Sequence, residues 1–183
     1  MGRRISGATN SKLAKAIARH IQLPRVKKLN LKSGPHQGTH RVPGLRNQRF
    51  TGTRPSAATQ AQMRRNFNAK NGPRDQFLDK VRREASVTDL QALGLSDKQI
   101  KHFLDGGSLP PGFQVHHRQP IMAGGDNSLD NLVLIRNSPD HKLITAAQNE
   151  AMRGIPPGGH YNVELPMTPP GLTWPTPGMG AYR

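Results

Sequence analysis

Apolar residues along this chain fall into stretches of different period. Leu13, Ile17 and Ile21 stand at i, i+4 and i+8, with Asn10 or Ser11 ahead as a cap and Pro24 behind as a stop. That spacing predicts a short amphipathic helix flanked by Lys12, Lys15 and Arg19. Between 33 and 62 no period survives. Gly, Pro, Ser, Thr and Gln dominate there, so the stretch reads as a linker or a loosely draped segment. Helical signals return over 75–105. Phe77, Leu78 and Val81 share one side, and a second helix follows in SVTDLQALGL. In a third, Ser96 is the cap, Ile100, Phe103 and Leu104 form the stripe, and Gly106-Gly107 is the stop.

Beyond Pro110-Pro111-Gly112 the period changes to two. Phe113 and Val115 alternate with Gln114, and NLVLIR at 131–136 carries the β-branched Val133 and Ile135. Both predict strands. NSPDHKLITAAQNEAMRG then predicts a helix with Ser138 as cap, Pro139 and Asp140 in its first turn and Gly154 as its end. The region 113–153 therefore reads strand, long loop, strand, helix. HYNVELP adds one more strand, and TPPGLTWPTPGMGAYR reads as an extended tail over the body or a partner.

Charge divides the chain. Before Asp75 stand 17 Lys and Arg and no acidic residue, so the net charge of +16 belongs to the N-terminal part. Such a block stays solvated or binds a polyanion, with nucleic acid ahead of an anionic membrane surface. The absence of cysteine removes disulfides and thiolate metal sites. No apolar run reaches the ~18 residues of a membrane span, and residues 1–30 lack the apolar centre of a cleavable secretory signal. SKLAKAIARHI imitates a mitochondrial presequence, but the acid-free composition continues far past one. His36 and His40 have a ligand spacing only on a helix, which Pro35 and Gly38 oppose, and His102 reads as a surface histidine.

The chemistry gathers around FQVHHRQPIMAGGDNSLDN. Adjacent strand residues point to opposite faces, so His116 and His117 do not serve the same atom in a regular strand. One ring can face a metal while the other faces a substrate. Asn131, at the start of the second strand, has a donor and an acceptor with which to fix a loop or a histidine ring. His141, near the positive end of its helix, is kept neutral, as a metal ligand must be. Phosphodiester cleavage needs such parts: a base for water, a cation for developing charge, and an orienting group. Gly124, Gly125 and Asp126 read as loop structure.

The pattern His-His-x-x-Pro-Ile-x-x-Gly-Gly, then Asp-Asn-Leu, then Pro-Asp-His resembles the HNH (ββα-metal) nucleases. It is most similar to the DNase domains of colicin- and pyocin-type bacteriocins and to C-terminal HNH toxin domains of polymorphic, type VI-secreted or Rhs-type effectors. The resemblance covers about 75–153 and is strongest at 115–148. It implies an α+β fold with a ββα-metal core at about 113–153. A basic, partly disordered extension (1–74) would precede a nuclease domain (75–183) with preceding helices and a Pro/Gly-rich tail. It implies His117 as general base, His116 and His141 as metal ligands, and Asn131 as the residue that holds the loop and orients His117. Family members cut DNA with little sequence preference, leaving 5′-phosphate and 3′-hydroxyl ends.

One position departs. Where bacteriocin members carry another histidine one turn after the first on the helix, this chain has Thr145. A hydroxyl is a poor zinc ligand, so the ion is left open among Mg²⁺, Mn²⁺ and Zn²⁺, and the third ligand among Thr145, Gln148 and His160. Arg118, Arg136 and Lys142 are candidate contacts to DNA phosphates. The resemblance further implies a toxin delivered into the cytoplasm of a target cell and an acidic immunity protein as partner. Two alternatives stand beside it: a nucleic-acid-binding module of the same fold without catalysis, and an RNase.

Overall fold

The computed structural model describes residues 45–174. The expected helix around Leu13, Ile17 and Ile21, the pair His36 and His40, and the tail past Trp174 lie outside the described residues. The chain is a mixed α+β structure. It begins with β1 (Arg46–Thr53) and α1 (Ala57–Phe67), followed by α2 (Pro73–Glu84), α3 (Val87–Leu93) and α4 (Asp97–Leu104). Then come β2 (Phe113–His117), β3 (Leu132–Arg136), α5 (Lys142–Ala151), β4 (His160–Met167) and β5 (Thr173–Trp174).

Local chemistry sets the helix boundaries. Pro73 opens α2, where a missing N–H costs nothing, and Asp75 stands in its first turn. Ser86 and Ser96 open α3 and α4 with reciprocal boxes, their hydroxyls accepting from the amides of Asp89 and Gln99 while those side chains accept from the serine amides. Gly94 closes α3 at φ 103°, a left-handed conformation that glycine adopts without strain.

Two small sheets result. β1 pairs antiparallel with β4, while β3 lies between antiparallel β2 and parallel β5. Alternation along β3 joins the layers. Leu132 and Leu134 face the core of α1–α4, with Phe67, Phe77, Leu78, Val81, Leu90, Leu93, Ile100 and Phe103. Val133 and Ile135 face Ile144 of α5 and Trp174 of β5. A strand buried on both faces is apolar throughout, and LVLIR is so up to its last residue. A third cluster, with Tyr161, Val163 and Leu165 of β4 and Ala151 and Met152 near the end of α5, anchors the second sheet. Among the described residues no helix is long and apolar enough to cross a membrane.

Three sequence expectations change here. The stretch 33–62 is not linker where it is described: 46–53 is a strand and 57–67 a helix. The boundary at 74/75 falls inside α2, and Phe67, before it, belongs to the same core as Phe77. Ser138 does not cap the last long helix. It has extended φ/ψ of −137° and 133° before a cis Pro139, Asn137–His141 forms a wide turn, and α5 begins at Lys142. Asp140, within that turn, is fully buried.

Candidate functional site

The β2–β3 register divides the two histidines. His116 stands opposite Val133 and His117 opposite Leu132. Cross-strand partners share a face, so His116 looks toward α5 and His117 toward the helical layer.

On the α5 side, His116 is 7% exposed and its Nε2 is buried with no hydrogen-bond partner. Burial pushes this imidazole down to about 3, with charge on His141 and His117 adding to the effect. The His141 ring stands edge-on to it, centroids 5.1 Å apart and planes at 80°. Burial lowers His141 as well. Its own backbone is already helical, so Thr145 lies one turn further on the same face. The Thr145 hydroxyl oxygen is also buried without a partner. Buried polar atoms are nearly always bonded. Two neighbouring imidazoles, one with an orphaned nitrogen, and an orphaned hydroxyl one turn past His141 fit a divalent cation held by nitrogen and oxygen. Among the described residues no group of three or more His, Cys, Asp or Glu is placed to share an ion, so such a set rests on two histidines and a hydroxyl.

On the other face, the His117 ring lies 4.6 Å from that of Phe67 at 52°. Its Nε2 is 2.8 Å from Oδ1 of Asn127, whose Nδ2 donates to the Met63 carbonyl of α1 at 3.0 Å. Burial lowers His117. Asn127 and Asp126 oppose that, and the charge of Arg64 on α1 adds to it. Asp126 itself is held below the usual carboxylate range, chiefly by bonds from the hydroxyl and amide of Ser128.

Asn131 closes the loop between the strands. Its Nδ2 donates to the carbonyls of Gln119 (3.0 Å) and Asp126 (2.8 Å), and its Oδ1 accepts from the Gln119 amide (2.8 Å). A Cβ on Gly125 would collide with the Gln119 carbonyl, and Gly124 turns at φ 74°. These bonds hold the loop closed, and the ring of His117 is bonded to Asn127 and not to Asn131. Asn127 and Arg64 were missed in the sequence. Asn127 stood in a run of loop residues, and Arg64 belonged to an undivided block of positive charge.

The other candidates have defined places. The Arg118 guanidinium donates to the carbonyls of Thr168 (3.1 and 3.0 Å) and Asp130 (3.1 Å). Arg136 forms an ion pair with buried Asp140 at 2.8 Å. Gln148 is buried, and its Nε2 donates to the carbonyls of Arg118 (3.1 Å) and Pro166 (3.2 Å), tying the loop to β4. His160 is at an exposed end of β4, bonded to Thr53. Lys142 is exposed at the start of α5. A 330 Å³ concavity beside the loop is lined by Gln48, Arg118, Asp126, Asp130 and Asn131 among others, and by none of the three histidines.

No protein family matches the chain, and no solved structure does. A stretch of 49 residues is 43% identical to the protein named Uncharacterized protein YhhZ of Escherichia coli (strain K12). It makes up 27% of this chain and 12% of that protein, so the chain spans a small part of its relative's length.

Proposed function

We propose that this chain is a metal-dependent endonuclease of the HNH (ββα-metal) type that hydrolyses DNA phosphodiesters with little sequence preference, acting as the toxin domain of an antibacterial effector. The observation that carries this reading is the split doublet: His116 presents an orphaned Nε2 toward His141, while His117 is directed to the opposite face. A doublet of ordinary strand-end histidines gives no reason for an unpaired nitrogen on a residue 7% exposed.

His116, His141 and the Thr145 hydroxyl would hold the ion. When bound, it would stabilise charge on the phosphate and on the departing oxygen. His117, kept neutral by burial, takes a proton from the attacking water. Arg64, close enough for its charge to act on that ring, offers a guanidinium to a phosphate oxygen. Asn131 keeps the loop closed so that the strand ends stay in register. The acid-free basic block supplies sequence-independent attraction to the polyanion. A cell producing such an enzyme needs an inhibitor, and an acidic immunity protein fits this charge.

Supercoiled plasmid incubated with the full chain and Mg²⁺, Mn²⁺ or Zn²⁺ tests the reading. Nicked and linear products are expected, with His117→Ala abolishing cleavage while retaining DNA binding. Intact plasmid under all three ions, with folded protein that still binds, would reject catalysis in favour of a binding module. Faster loss of RNA in a parallel digestion would reassign the polymer.

A further inference from the structure

His117 is held by a relay that begins on a different element. The Met63 carbonyl can only accept a hydrogen bond, so the Asn127 atom facing it, 3.0 Å away, is the amide nitrogen. The other end of the same amide, Oδ1, then faces the imidazole at 2.8 Å. An amide oxygen can only accept, so the ring nitrogen there, Nε2, carries a hydrogen. In a neutral imidazole the lone pair must then be on Nδ1. Through this one amide, the Met63 carbonyl fixes which nitrogen of His117 can take a proton.

The surroundings restrict the ring further. Phe67, one turn after Met63 on α1, packs against His117 with centroids 4.6 Å apart. Asn127 itself is kept in place on both sides. Asp126 accepts from the amide and hydroxyl of Ser128, and its own carbonyl accepts from Asn131. The loop and α1 therefore meet at one amide, and that amide meets the ring.

The geometry points to Asn127 as the positioning residue of His117: bridging the Met63 carbonyl and Nε2, it holds the ring in the Nε2–H form and leaves Nδ1 as the nitrogen that accepts a proton from water. This rests on His117 being the base of the proposed reaction. The proton passes from water to Nδ1 as the hydroxide oxygen bonds to phosphorus. The bond from phosphorus to the 3′ oxygen breaks, and that oxygen leaves with the electron pair and takes a proton from solvent water. The resulting imidazolium keeps its Nε2–H on Asn127. An orienting partner of this kind is worth on the order of ten- to a hundredfold in activity.

The test uses the full chain labelled with ¹⁵N in its histidine rings, the His117 signals being those lost in His117→Gln. The wild type is expected to show a slowly exchanging proton on Nε2 of His117 and none on Nδ1. Asn127→Ala should lose that protected proton and lower kcat on plasmid on the order of ten- to a hundredfold with KM little changed. Asn127→Asp, which keeps the acceptor, should retain the Nε2 proton and recover part of the rate. A proton on Nδ1 in the wild type would overturn the assignment, whether or not any variant folds. An Asn127→Ala protein with an unchanged ring signal and an unchanged kcat would overturn it too. If the wild type cuts nothing, the nuclease reading falls, and the ring signals alone still decide whether Asn127 holds His117.

Discussion

Thr145 is the residue at which this chain parts from the pattern it resembles, and its environment makes the departure testable. A buried hydroxyl with no partner is a net cost to the folded protein, about 1–3 kcal/mol for the lost hydration. Thr145 keeps such an oxygen on the helix face that carries His141. If the oxygen serves an ion, Thr145→Val should separate binding from stability. Valine has nearly the same shape and no polar atom, so the metal-free variant should melt no lower than the wild type. Its affinity for Mn²⁺, measured by titration calorimetry, should fall on the order of tenfold. Thr145→His should move preference toward Zn²⁺, because zinc favours a third nitrogen. A valine variant with wild-type Mn²⁺ affinity would leave the hydroxyl outside the coordination sphere.

Among the elements, the segment between β3 and α5 has the most consequence for the site, since it delivers His141. Its anchor is the pair Arg136–Asp140, in which a carboxylate with no exposed surface accepts from a guanidinium at 2.8 Å. Burial raises Asp140, and Arg136 opposes the rise. Arg136→Met removes the opposing charge and leaves the carboxylate buried alone, which costs about 3 kcal/mol near neutral pH. The sign of the pH dependence follows from linkage. In the variant the folded pKa of Asp140 rises further above its unfolded value. The protonated carboxyl is then favoured in the fold, so the deficit against wild type is smallest in acid and grows as pH rises through the folded pKa. Urea midpoints for both proteins at several pH values would show this, and a deficit independent of pH would contradict it. The same segment marks where sequence reasoning stopped. Helices α2–α4 were legible because their caps and apolar stripes are local, and β2 and β3 because strand alternation is local. Asp140 was read as a helix-start acid because its partner Arg136 precedes it across a turn whose path no periodicity encodes. β1, RNQRFTGT, is polar and mostly exposed, and is a strand because β4, over a hundred residues later, pairs with it. In α1 the buried residues are Gln60 and Phe67, too few apolar positions to give a stripe. For the same reason the split of His116 from His117 was visible in advance, as a consequence of strand geometry, whereas Asn127, whose role depends on α1 arriving from elsewhere, was not.

At the scale of the whole molecule, charge and chemistry occupy different parts of the chain. Residues 1–44 contain ten Lys and Arg and no acid, while all three histidines of the candidate site lie between 116 and 141. The basic segment ends before β1 begins at Arg46, so its removal takes away no strand residue paired with β4. A chain starting at Gly44 should therefore keep its thermal transition and its rate at saturating DNA. Its affinity should change in a way that depends on salt. Removing one cation from a phosphate lowers the slope of log affinity against log salt by about 0.9 on duplex DNA. The truncated chain should bind weakly at low salt and weaken less on going to high salt, so that the two proteins converge as ionic strength rises. Anisotropy titrations with a labelled duplex from about 50 to 200 mM salt would measure both slopes, in the range where phosphate binding dominates. Parallel lines would show that the segment touches no phosphates. In that case the attraction would come from the basic residues of the described part, such as Arg64 and Arg65 on α1, Lys70 in the turn after it and Arg74 at the start of α2. Substituting those four in the truncated chain would then lower the remaining slope, and a slope unchanged by both steps would place the phosphate contacts on other basic residues.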